Sequence, residues 1–153
     1  MEAGIGVFVL CCMSLLSPFY GVSEGELHGC PPSPNCISSQ SMKFNLIHHT
    51  EALQYSVSRE EAFRKVKGFI DASENVHIDE IREGEYIRLT YFTKVFRFPD
   101  RVELFFPNSE QIVQFRSHSW LGFWDVFANR IRREKFQRVL TAEDPPKKDE
   151  VFL

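Results

Sequence analysis

The sequence has no excess of positive charge: 18 Lys and Arg stand against 21 Asp and Glu, a formal net charge of −3. That balance excludes a general nucleic-acid binder, whose surface must neutralise many phosphates. A glycine-rich phosphate-binding loop is missing, and so is any cluster of carboxylates at metal-ligand spacing. Cysteine is scarce, with four in the chain, and none lies in a Cys-x-x-Cys pair, which excludes redox chemistry of that type. The longest apolar run, Gly4 to Leu16, falls short of the roughly 20 residues of a comfortable membrane span. No internal repeat is evident.

What is present is one domain's worth of chain: 153 residues, 43% hydrophobic and 25% charged, with 15 phenylalanines. This is a globular composition, long enough to bury a real core. Residues 1–23 stand apart as a signal peptide or N-terminal hydrophobic segment. Gly21 and Ser23 provide the small residues that a signal peptidase needs for a cut before Glu24. Glu2 takes the place of the usual basic start, so an uncleaved or acylated anchor, using Cys11 or Cys12, is the alternative. The expected compartment is secreted or an organelle lumen, with membrane anchoring as the second reading.

Cleavage there would leave two cysteines, in Cys30-Pro-Pro-Ser-Pro-Asn-Cys36. In an oxidising compartment they are expected to bond to each other. A straight polyproline path would hold them roughly 19 Å apart, far beyond the ~4.4–6.8 Å between Cα atoms that a disulfide needs. The chain must therefore turn, and Ser33-Pro34-Asn35 is suitable turn chemistry. Closing so short a loop contributes about 2 kcal/mol in the entropy model.

Residues 24–43 read as an extended Pro/Ser-rich lead-in, 44–140 as an α+β domain and 141–153 as a flexible polar tail. Ser58 followed by Glu61 is a capping box, and Ala62, Phe63, Val66, Phe69 and Ile70 share one side of a helical wheel, predicting a helix over 59–72. From Val76 to Ser119 the pattern becomes short alternating runs separated by Glu83-Gly84-Glu85, Pro99-Asp100 and Pro107-Asn108. A second helix is expected over 126–140, with Asp125 as its N-cap. The fold class is α+β: a single antiparallel sheet of about four to five strands packed by two main helices.

Strand parity selects the first candidate residues. With the apolar positions of 102–106 and 112–118 on one face, Glu103 and Arg116 share the other. The register that pairs them directly is preferred, because the alternative sets Arg101 against Arg116. The plain reading of that pair is a surface ion pair. On the second helix Asn129 and Arg132 fall on the same side as Ala128, Phe136 and Val139, so they need partners, and Asp100, Glu103 and Glu134 are the acids available. The basic run 125–138 reads as a solvated face or as a contact for an anionic membrane surface. In "SWLGFWD", Trp120, Phe123 and Trp124 either plug the sheet end or contact something external.

Two chemical alternatives are weaker. His118 and Asp125 with Ser117 or Ser119 suggest a hydrolase triad, but no elbow glycines surround either serine. A zinc site from Cys30, Cys36, His48 and His49 would need unconventional spacing. Neither a cofactor nor a metal is expected.

Three motifs in order, "CPPSPNCISSQ", "FRFPDRVELFF" and "RSHSWLGFWDVFANRIRRE", give a resemblance to the uncharacterised family catalogued as domain of unknown function 1499. It covers about residues 28–140. Pro34, Asn35, Cys36, Ser38 and Ser39 match the first family element, and Asp100, Val102 and Glu103 match the second, where Arg101 replaces an acid. Arg116, Ser117, Ser119, Gly122, Asp125, Asn129, Arg130, Arg132 and Glu134 match the third. The resemblance implies no agreed activity, and members that often follow a signal or membrane segment or sit in plastids. The leading expectation is a non-catalytic extracytoplasmic domain for a small or amphipathic, lipid-like ligand or a partner surface. Arg116, Asn129 and Arg132, backed by Asp100 and Glu103, would form its polar end, and Trp120, Phe123 and Trp124 its apolar end. The alternatives are a hydrolase, and a polar network that only holds the fold.

Overall fold

The structure, a computed structural model, describes residues 19–92, 97–119 and 126–142. In chain order the elements are β1 (Val22–Ser23), β2 (Glu26–Leu27), β3 (Cys36–Ser38), β4 (Leu53–Gln54), α1 (Arg59–Ala72), β5 (Val76–Arg82), β6 (Tyr86–Phe92), β7 (Pro99–Phe105), β8 (Ile112–Ser119) and α2 (Val126–Thr141). The α+β class holds, and α1 begins and ends where the sequence pattern puts it. Ser58 caps it, its hydroxyl accepting the Glu61 N–H at 3.2 Å. Its buried residues are Ala62, Phe63, Val66, Phe69 and Ile70, the five that the wheel selects. The Asp125 cap lies outside the described residues.

Strands β5 to β8 form an antiparallel meander. Gly84, at φ +71°, supplies the left-handed residue in the turn between β5 and β6. β7 begins at Pro99, which has no N–H to donate and suits a strand's first position. The exposed edge, β5, carries charged residues and a register shift between Ile78 and Glu80, devices that blunt pairing with other chains.

The sheet has six strands, more than the four to five expected. The additional ones come from the lead-in and the segment after it, which lack the length and alternation that mark a strand in sequence. β3 pairs with residues 116–118 of β8, and β4 pairs with residues 112–113 farther along the same edge. Between them Ser39 fills the ladder: its N–H donates to the Phe115 carbonyl at 2.8 Å and its hydroxyl accepts the Phe115 N–H at 2.8 Å. β1 and β2 form a separate two-stranded hairpin.

Both helices cover one face of the sheet. Phe63 packs on Phe106, and Phe136 of α2 stands between Phe69 and Phe115, with ring centroids 5.4 and 6.1 Å away. Leu53, Ile87, Leu89, Val102, Leu104 and Val113 complete this core. The other face is covered by the lead-in, where Leu27 packs against Tyr86 and Phe105. No helix among the described residues is long and apolar enough to cross a membrane.

Candidate functional site

The candidates among the described residues, Asp100, Glu103, Arg116, Asn129 and Arg132, do not converge on one recess. β7 and β8 alternate their side chains, so the sheet itself divides the polar residues into two networks, one on each face.

On the helix-covered face the centre is Asn129, fully buried in α2. Its Oδ1 accepts from Ser117 Oγ at 2.6 Å, from Arg132 Nη1 at 2.8 Å and, more distantly, from Ser119 Oγ. Its Nδ2 donates to the Asn35 carbonyl at 3.0 Å, while Asn35 Nδ2 donates to the Ser119 carbonyl at 2.5 Å. Arg132 donates to Asp100 in a close ion pair and lies over the Tyr91 ring. Burial is the main reason that the Tyr91 hydroxyl is held well above its ordinary pKa. Asn35 belongs to the loop closed by the Cys30–Cys36 disulfide, whose Cα atoms are 5.6 Å apart. The network thus joins that loop, the end of β8 and α2. Asn129→Ala is expected to cost about 2 kcal/mol, because it strips one acceptor and one donor from buried partners; urea unfolding of wild type and variant measures it.

On the opposite face a row of charges alternates across the strands, Glu80, Arg88, Glu103 and Arg116, each opposite the next. Glu103 and Arg116 are the directly paired residues, in the register that the sequence favoured. They are not a surface pair, because each side chain is only 1% exposed. Arg116 Nη1 donates to Glu103 Oε2 at 2.5 Å, and Glu103 Oε1 accepts the Tyr86 hydroxyl and the Gly21 N–H, both at 2.6 Å. Burial and the Glu103 carboxylate together raise the Tyr86 pKa far above its usual value. Arg116 Nη1 also donates to the Phe19 carbonyl at 3.3 Å, and Nη2 to the Gly29 carbonyl at 3.2 Å. Tyr20 lies over this row, its ring centroid 4.8 Å from the Arg101 guanidinium, 5.3 Å from that of Arg116 and 5.9 Å from that of Arg88. The burial of the pair therefore comes from residues 19–29, which a reading of two strands alone does not include.

The arginines of α2 have local duties. Arg130 donates to the Leu46 and His49 carbonyls at 3.0 and 3.4 Å, and Arg133 to those of Glu51 and Ala52 at 3.2 and 3.3 Å. Glu134 pairs with Arg133, not with Arg132.

Strand parity also bears on the hydrolase reading. His118 points to the face opposite Ser117 and Ser119, and Ser117 spends its hydroxyl on Asn129. Burial first, then Arg116 and Arg101, push the His118 pKa down to about 4, so it is a neutral imidazole at pH 7. Gly21-Val22-Ser23-Glu24-Gly25 does match a Gly-x-Ser-x-Gly string. It forms the β1–β2 hairpin and not the strand-to-helix elbow that the chemistry needs. The zinc reading loses two ligands, since Cys30 and Cys36 are bonded to each other.

Trp120, Phe123 and Trp124 lie outside the described residues. An apolar surface that the sequence reading passed over is formed by Met42, Phe44, Leu46 and Ile47, together with Phe127 and Ile131 of α2. Phe44, Leu46 and Phe127 are 82%, 79% and 75% exposed. The Arg130 bond to Leu46 joins loop to helix between Phe127 and Ile131. The signal was available: "MKFNLI" alternates apolar and polar residues from Met42 to Leu46, the period of a strand, yet the chain there forms turns and no strand. A surface recess of about 410 Å³ between Tyr55, Arg59 and the β7–β8 connection includes none of the candidate residues.

A family model described as "Protein of unknown function (DUF1499)" matches residues 26–140. The chain belongs to this family. No match was found among curated proteins or among solved structures.

Proposed function

We propose that this is a non-catalytic extracytoplasmic binding module for an amphipathic lipid with an anionic head. In this reading the two buried networks fix the lead-in and α2 to the sheet, and binding takes place at the apolar surface of 42–47 and α2. The observation that carries it is the exposure of Phe44, Leu46 and Phe127 on two adjoining segments. Large exposed apolar groups in one patch mark contact sites. Cations are interleaved with them: Lys43 lies between Met42 and Phe44, and Arg130 between Phe127 and Ile131. Apart from Arg132, which is paired with Asp100, α2 carries Arg130, Arg133, Lys135 and Arg138, with Glu134 as the acid within the helix. Apolar side chains among basic ones suit the boundary between acyl chains and anionic headgroups. The disulfide is the observation favouring an oxidising compartment.

The test is co-sedimentation of the full chain with phosphatidylglycerol vesicles, alongside phosphatidylcholine vesicles and a monomeric lysolipid. Binding to the anionic vesicles is expected, weakening as salt rises. Phe44→Ser with Leu46→Ser should reduce it at least tenfold, about 1.4 kcal/mol or more, from the apolar area withdrawn. Equal binding by wild type and the double variant would remove this surface from consideration, since both carry the same N-terminal run. Binding of the lysolipid alone would identify a single-molecule ligand.

A further inference from the structure

A cut before Glu24 leaves the domain without parts that the structure shows to be built in. Glu24 and Gly25 have φ of +54° and +81° and form the two-residue turn of the β1–β2 hairpin, in which Ser23 pairs with Glu26 and Val22 with Leu27. Positive φ at both central residues is the arrangement that matches strand twist in a tight hairpin. Ahead of it, Gly21 donates its N–H to the buried Glu103 carboxylate, Tyr20 covers three guanidinium groups, and the Phe19 carbonyl accepts from Arg116.

These contacts do what partners of a buried ion pair must do. A carboxylate removed from water needs its remaining lone pairs satisfied, and a buried guanidinium needs acceptors for its outer N–H groups. The Gly21 N–H meets the first need and the Phe19 and Gly29 carbonyls the second. Removing residues 19–23 takes away the Gly21 donor, one of the two carbonyls, β1 and the Tyr20 ring together. Signal peptidases act on chains that have not yet folded, so the hairpin does not block a cut. The product of such a cut, however, would lack the Gly21 N–H and the Phe19 carbonyl, two of the groups that satisfy its own buried ion pair.

We infer that residues 19–27 are a permanent element of the folded domain, and that any cut removing the apolar N-terminal run falls ahead of Phe19 and not after Ser23. Tyr20 and Gly21 then belong to the working protein, as the cover over Glu103 and Arg116. This stands independently of the lipid-binding reading, which uses a different surface.

The experiment is export of the full chain from a secreting cell, followed by intact mass and N-terminal sequencing of the product, for wild type and Tyr20→Ala. The expected product begins at or ahead of Phe19, and Tyr20→Ala lowers its melting temperature by about 5 °C or more, since about 1 kcal/mol corresponds to several degrees in a domain of this size. A folded product beginning at Glu24, with identical mass and melting from both genes, overturns the inference. A wild-type product that retains Tyr20 but melts identically to the Tyr20→Ala variant also overturns it, because the segment would then be attached but not part of the fold.

Discussion

Arg116→Met is expected to destabilise the domain by about 3–5 kcal/mol, the range for removing one partner of a buried ion pair. The substitution keeps the length and apolar body of the side chain, so the loss is that of the guanidinium. Glu103 would keep the Tyr86 hydroxyl and the Gly21 N–H but would hold its charge with no cation bonded to it. The lead-in would also lose both links from Arg116, at Phe19 and Gly29. Paired replacement, Glu103→Leu with Arg116→Met, is expected to recover most of the sheet's stability, since well-packed apolar substitutes for buried pairs are often neutral or better. It should not recover the docking of residues 19–29. Urea unfolding gives the first quantity, and amide exchange at Gly21 and Leu27 gives the second. A single variant within about 1 kcal/mol of wild type would mean that the pair contributes no more than an exposed one.

The second large effect is a loss of stability in mild acid, centred on His118. Its folded-state pKa is pushed down to about 4 by burial and by Arg116 and Arg101, whereas an unfolded histidine titrates near 6.5. Between these values the unfolded chain takes up a proton that the folded chain refuses, so stability rises with pH across the window. The contribution is fully present above about pH 6.5 and is lost as pH falls through about 4. Its size is about 3 kcal/mol, from roughly 1.4 kcal/mol per pKa unit. Carboxylates titrate at the lower end of the same window, so the measurement is a comparison. Unfolding free energies of wild type and His118→Gln are followed from pH 7 to pH 4, and wild type should lose about 3 kcal/mol more. Parallel curves would show that His118 accepts its proton within the fold.

Periodic features of this fold were legible in the sequence. α1 announces itself by Ser58 and five apolar positions, and the β7–β8 register follows from parity and from the cost of opposing Arg101 to Arg116. The Cys30–Cys36 bond was expected on the condition of an oxidising compartment, with Ser33-Pro34-Asn35 as the turn that lets the pair close. What was not legible depends on side chains whose roles are set by distant partners. Asn35 looks like turn punctuation, yet it bonds Ser119 and Asn129. Tyr20 sits in what reads as leader, yet it covers Arg116. Placing Asn129 and Arg132 with Arg116 in one site failed for a geometric reason: neighbouring residues of a strand face opposite ways, and a sheet lies between them.

Three guanidinium groups bracket pairs of backbone carbonyls ahead of α1: Arg116 at Phe19 and Gly29, Arg130 at Leu46 and His49, Arg133 at Glu51 and Ala52. The bonds to Phe19 and Leu46 span 97 and 84 positions of sequence. Contacts of such separation form late, because a long loop must close before they return any free energy. Synthesis runs the other way, delivering residues 19–54 first and their arginines last. These carbonyls of the lead-in and the following segment therefore wait for their donors until β8 and α2 have been made.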